Sequence, residues 1–116
     1  MRSKIGDKER VNHIYECVLF IEEHTSKITK EEFLANKVLC LAVDKEFEII
    51  GEASNNLSEE LRMKYESIEW RRIVAFRNFL VHEYFTVDYN IFWEIIHKDM
   101  LQLKKDLEAI IKNEKF

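Results

Sequence analysis

Apolar residues return at steps of three and four along nearly the whole chain, the period of one face of an α-helix. From Asp7 to about Thr25 they are Val11, Ile14, Tyr15, Val18, Leu19 and Ile21, with Lys8, Arg10, Glu16, Glu22 and Glu23 mostly between them. This predicts a first amphipathic helix. Thr29-Lys30-Glu31-Glu32 has the form of a capping box, in which Thr29 bonds the N3 amide and Glu32 reaches back, opening a short helical turn through Phe33 and Leu34. A second long helix is expected from near Asn36. Its apolar set of Val38, Leu39, Leu41, Ala42, Val43, Phe47, Ile49 and Ile50 is wider than a narrow stripe, which predicts a central helix buried on several sides. Gly51 in its interior costs about 1 kcal/mol relative to alanine, and a close helix crossing is the simplest compensation. Ser58 can cap a short segment through Tyr65, and a third long helix is expected from Ile68–Trp70 to His82. Asp88 can cap a final helix whose core face is Ile91, Phe92, Ile95, Ile96, Leu101, Leu103, Leu107, Ile110 and Ile111. The pattern predicts an all-α fold, a compact bundle of four long helices joined by short ones, as a single domain over residues 1–116.

Composition supports this reading. The chain has no proline and two glycines, so the punctuation of hairpins and sandwiches is missing. A net charge of −4 argues against wrapping duplex DNA by bulk electrostatics, so any nucleic-acid contact must be local. The basic residues Arg62, Lys64, Arg71 and Arg72 are interleaved with Glu59, Glu60, Glu66 and Glu69 and read as a mixed solvated surface, which leaves Arg77 apart. Cys17 and Cys40 fall inside apolar helical patterns, as reduced, buried thiols of a cytoplasmic protein would. The charged segment from Met1 to Arg10 lacks an apolar core for secretion. The longest apolar run, Val38 to Val43, is too short for a bilayer, so no membrane is expected.

The candidate chemistry lies in Arg77-Asn78-Phe79-Leu80-Val81-His82-Glu83-Tyr84, an Arg-x4-His-x-Tyr arrangement in a helical stretch. A guanidinium can clamp a phosphate through two points, and an imidazole can move a proton near neutral pH. RNA self-cleavage needs little more. The ribose 2′-hydroxyl already stands beside the phosphate, so a protein need only help deprotonate it, protonate the leaving oxygen and stabilise the phosphorane. That chemistry requires neither a metal nor a protein nucleophile. Arg77 and His82 are the expected catalytic pair, with Asn78 and Tyr84 orienting the substrate.

Other constellations are weaker. Glu94 and His97 have the Glu-x-x-His spacing of dimetal bundles, but the residues three before His13, His24 and His82 are Arg10, Ile21 and Phe79, so the second half is absent. His13 and Cys17 lack the further ligands zinc requires. No glycine-flanked nucleophile and no glycine-rich phosphate loop is present, so a Ser or Cys hydrolase and an NTPase are both disfavoured, and no cofactor is expected. Trp70 and Trp93 sit among aliphatic residues and read as core anchors.

Helix geometry constrains the motif. Residues five apart point about 140° away from each other, so Arg77 and His82 do not converge from one straight helix. Asn78 and His82 share a face at i and i+4, and Arg77 lies nearly in line with Tyr84 at i and i+7. The helix ends near His82 and re-aims it, or two copies build a composite site in a symmetric homodimer, with Phe76, Phe79 and Phe85 around the contact, or both devices operate together.

Four ordered segments resemble the HepT-like toxins of the HEPN superfamily. They are Phe47-Glu48-Ile49-Ile50-Gly51-Glu52-Ala53, Ile68-Glu69-Trp70-Arg71-Arg72-Ile73, Arg77 to Phe85, and Val87-Asp88-Tyr89 leading to Trp93. The resemblance implies a metal-independent endoribonuclease toxin, a homodimer that cuts RNA such as tRNA or mRNA. It also implies neutralisation by a minimal nucleotidyltransferase partner, MntA-like, that adenylylates Tyr84. An adenylyl group there would place bulk and negative charge beside the site. Glu69 departs from the proline often found before the tryptophan, which alters the start of a helix and leaves the motif untouched. The alternative reading is a catalytically silent helical module that binds RNA or protein.

Overall fold

The periodic segments become seven α-helices among the described residues, 3–116 of the computed structural model, with side chains described from Gly6 onward. Met1 and Arg2, part of the charged N-terminal segment, lie outside them. Helix α1 (Ser3–Thr25) begins ahead of the expected Asp7 and buries Val11, Ile14, Val18 and Ile21 along one stripe. The capping box of α2 (Lys30–Ala35) forms as read: the Glu32 amide donates to Thr29 Oγ1 at 3.1 Å and the Thr29 amide to Glu32 Oε1 at 2.8 Å. Asn36 caps α3 (Lys37–Asn55) by accepting from the Leu39 amide at 3.0 Å.

Helix α3 is central, packed between α1 and α5 and touching α2 and α6. Its first turns are the exception to its expected burial, since Val38 and Leu41 point to solvent. Ser58 caps α4 (Glu59–Lys64) through the Leu61 amide at 3.1 Å, while its own amide and hydroxyl donate to the buried Asp7 carboxylate at 2.8 and 2.5 Å. Asp7 thereby ties the beginning of α1 to that of α4, a link that periodicity does not reveal.

Helix α5 (Trp70–His82) is anchored at its start by buried Trp70, whose Nε1 donates to the Tyr65 carbonyl at 3.2 Å. Glu69 makes no side-chain cap bond and instead pairs with Arg72 at 2.6 Å. Further along, Phe76 meets Phe47 of α3 edge-on at 5.6 Å between centroids, and Phe47 meets Phe92 at 5.0 Å. This aromatic cluster fixes α5 against the core.

The expected single final helix is two, α6 (Tyr89–Lys98), capped by Asp88, and α7 (Met100–Glu114), with a bend at Asp99. The bonds from the Asp99 amide to Ile95 and from the Leu103 amide to Asp99, at 2.9 and 3.1 Å, still span the bend. Phe92, Ile96, Met100, Leu103, Leu107 and Ile110 continue one apolar stripe across it. The bend lets that stripe face two sets of neighbours, with α6 against α2 and α3 and α7 against α1. No helix among the described residues is long and apolar enough to cross a membrane.

Candidate active site

Arg77 sits where α5 crosses α3. A Cβ built on the buried Gly51 would overlap Arg77 Cβ and stand 2.7 Å from its Cγ and 3.3 Å from the Ile73 carbonyl oxygen. Glycine is therefore required by close approach, the compensation expected for its helical cost. One residue on, Glu52 reaches the guanidinium: Arg77 Nη2 donates to Glu52 Oε1 at 2.9 Å, and Nη1 donates to Asn78 Oδ1 at 2.9 Å. Asn56 holds the second Glu52 oxygen at 3.1 Å and also donates to the Glu52 carbonyl at 2.9 Å. The chain Asn56–Glu52–Arg77–Asn78 orients the guanidinium of an arginine whose side chain stays 31% exposed. A partly exposed ion pair of this kind adds little stability; its effect is to aim the charge.

His82 is exposed, and its side chain makes no hydrogen bond or ion pair among the described residues. It is the last residue of α5, and the Glu83 amide still bonds the Phe79 carbonyl at 2.8 Å, so His82 keeps the helical register. The helix ends too late to re-aim it. Arg77 and His82 thus remain about 140° apart in direction and about 7.5 Å apart along the axis. Asn78 shares the His82 face. The expected alignment of Arg77 with Tyr84 does not survive, because the backbone leaves the helix at Glu83 (φ −119, ψ 35) and Tyr84 opens a 3-10 turn, Tyr84–Thr86. Tyr84 is 73% exposed, and its ring meets Phe85 edge-on at 5.6 Å between centroids.

A cleft of about 390 Å³ opens beside Arg77 between α1, α3 and α5, and neither His82 nor Tyr84 lines it. A larger groove of about 520 Å³ between α5, α6 and α7 is mostly apolar and holds none of the motif's polar residues. On α3, Asp44 is pushed up to about 7 by burial, then by the hydrogen bond and charge of Glu48. Its buried Oδ1 has no hydrogen-bond partner among the described residues. Glu94 is engaged by Lys98 at 2.9 Å, and His97 Nδ1 donates to the Trp93 carbonyl at 3.0 Å. Among the described residues no group of three or more His, Cys, Asp or Glu is placed to hold a metal ion.

Glu52 and Asn56 were not legible as site residues. The signal available was the glycine before Glu52, which marks a close crossing without saying which residue of which helix lies opposite.

The family model described as Ribonuclease HepT-like matches residues 14–110, most of the chain. The chain belongs to the HepT-like ribonuclease family. Among its relatives, "Probable ribonuclease HepT" of Thermococcus cleftensis is 36% identical over 109 residues, covering 94% of the chain and 99% of the relative. "Putative RNase TTE0752" of Caldanaerobacter subterraneus subsp. tengcongensis is 39% identical over 105 residues, with 90% and 94% covered. "Gamma-glutamylcyclotransferase and putative RNase MJ0434" of Methanocaldococcus jannaschii is 40% identical over 102 residues, 88% of the chain but 46% of that longer protein, so the chain spans less than half of it. No solved structure matches. In this HepT-like chain the resembling segment from Phe47 to Ala53 has a physical role: it brings Gly51 and Glu52 against Arg77.

Proposed function

We propose that the chain is an endoribonuclease toxin that cleaves RNA without a metal ion, through attack of the 2′-hydroxyl on the adjacent phosphorus. The 2′-oxygen forms its bond to phosphorus as the bond to the 5′-oxygen breaks, leaving a 2′,3′-cyclic phosphate and a 5′-hydroxyl. Arg77 stabilises the charge of the phosphorane, and His82 takes the proton from the 2′-oxygen or returns one to the leaving 5′-oxygen. The observation that carries this reading is the contrast within the motif. Arg77 is locked by Gly51, Glu52 and Asn78, whereas His82 stands free on another face of the same regular helix.

That contrast supports a homodimer in which the His82 of one protomer meets the Arg77 of its partner. Each of the two symmetric contacts then pairs one imidazole with one guanidinium, and Phe79 and Phe85, both exposed, offer apolar area around the contact. Asn78 and Tyr84 orient the RNA. The exposed Tyr84 ring also suits modification by a minimal nucleotidyltransferase antitoxin of the MntA type, whose adenylyl group would fill and repel at the RNA path.

Incubation of the dimer with RNA should yield 2′,3′-cyclic phosphate ends, persist in EDTA, and fail on a substrate whose 2′-hydroxyl at the cut site is removed. Arg77→Ala and His82→Ala should each abolish cutting, and a mixture of the two variants should regain part of it if the site is composite. Wild-type activity in the Arg77→Ala, His82→Ala double variant would sink the assignment. Stable RNA binding without turnover would identify a silent binding module instead. Intact mass measured with and without the nucleotidyltransferase and ATP tests Tyr84, through a gain of AMP lost in Tyr84→Phe.

A further inference from the structure

We propose that the cleft between α1, α3 and α5 is a phosphate subsite that holds the RNA backbone beside the bond to be cut; this rests on the ribonuclease reading of Arg77. The cleft is walled by Arg10 and His13 of α1, Lys45, Glu48 and Glu52 of α3, and Arg77 of α5. Three permanent cations from three helices converge there in a chain whose net charge is −4. Set against the two carboxylates they leave one positive charge.

The carboxylates and cations are not equally engaged. Glu52 is held between Arg77 and Asn56, while Arg10 and Lys45 form no ion pair among the described residues. The Arg77 guanidinium has five N–H donors, and two are taken, by Glu52 and Asn78. Glu52 Oε1 therefore stands where a phosphate oxygen would, at 2.9 Å from the fork. A polyanion that meets Arg77 from this side passes Lys45 and Arg10, which have no ion-pair partner among the described residues. His82 lies outside the cleft, so these groups position the strand and take no part in proton transfer. Binding and chemistry are divided between two faces of α5. Loss of a cleft cation should raise KM.

The test uses a short fluorescein-labelled oligonucleotide of 2′-O-methyl RNA, which cannot be cut, with anisotropy read over a range of salt. Arg10→Ala and Lys45→Ala should each weaken binding about 3- to 10-fold and lower the salt slope by about 0.7, the value for one phosphate contact on a single strand. Lys105→Ala removes the same charge from an exposed position of α7 and serves as the control. On cleavable RNA the cleft variants should lose kcat/KM by the same factor, through KM. Cleft variants that bind no worse than Lys105→Ala overturn the subsite and leave the ribonuclease standing. Cleft variants that bind poorly, beside Arg77→Ala and His82→Ala proteins that cut as well as wild type, uphold the subsite and overturn the catalytic reading. A wild-type protein that does not bind the oligonucleotide overturns both.

Discussion

Replacing Gly51 with alanine sets two effects of opposite sign against each other. Alanine is favoured over glycine in a helix interior by about 1 kcal/mol, so propensity alone predicts stabilisation. The new methyl would overlap Arg77 Cβ and lie 2.7 Å from Cγ. Carbon atoms settle at about 3.5–4.0 Å, so relieving the Cβ overlap requires α3 and α5 to move apart by more than about 1 Å. Arg77 cannot yield by changing rotamer, because its Cβ is fixed to the α5 backbone. Overpacking of this kind costs about 1–3 kcal/mol, and with backbone-borne atoms in collision the upper end applies. Gly51→Ala should therefore lower stability by about 1–2 kcal/mol in urea unfolding, despite the better helix former. If Arg77 is the catalytic arginine, a shift of about 1 Å in its placement should also slow RNA cleavage on the order of 100-fold under conditions where the variant is folded. Arg77→Gly removes the colliding Cβ, so in that background the same alanine should become neutral or stabilising, and the double-mutant cycle isolates the contact. A Gly51→Ala protein as stable as wild type would refute the close crossing. One that is destabilised yet cuts at the wild-type rate would show that α3 does not position Arg77.

Three further outcomes are expected. Burial and Glu48 push Asp44 up to about 7, above the unfolded value of about 3.9, so the folded chain keeps a proton that the unfolded chain has released. Stability should then fall as pH rises from about 4 to about 7 and level off beyond. Melting temperatures across that range should show the fall, Asp44→Asn should remove it, and an identical profile in the variant would refute the assignment. Burial pushes the Cys17 thiol up to about 12 and also raises Cys40, so neither should react with a disulfide reagent until denaturant is added; fast labelling of the native protein counts against this. Glu69 has φ −82 and caps nothing, so Glu69→Pro gives up only an exposed pair with Arg72, and the melting temperature should hold or rise. A loss above about 1 kcal/mol would contradict the backbone argument.

What was legible in the sequence follows from how far apart the cooperating residues are. Caps depend on neighbours three residues away, and Thr29, Asn36, Ser58 and Asp88 all act close to where the local pattern puts a helix start. The bend at Asp99 was hidden because the apolar period runs through it unchanged; only the separate neighbours of α6 and α7 demand it. In the motif, the divergence of Arg77 and His82 is a property of one helix and could be read directly. The Arg77–Glu52 pair could not, since it depends on the register between α3 and α5, which is set by the aromatic contacts of Phe47 and Phe76 and by the Gly51 crossing.

That register also explains why segments distant in sequence matter to one guanidinium. An arginine side chain has many rotamers, and an exposed one would spend little time aimed at a phosphate. Gly51 lets α3 come close enough for Glu52 to reach the fork, Asn56 keeps Glu52 in place, and the buried Trp70 fixes the start of the helix that carries Arg77. His82 has no comparable support among the described residues. On the ribonuclease reading proposed above, a proton-transfer group left unheld beside a phosphate clamp held from several sides is half of a site, and another copy of the same helix end would supply the missing constraint.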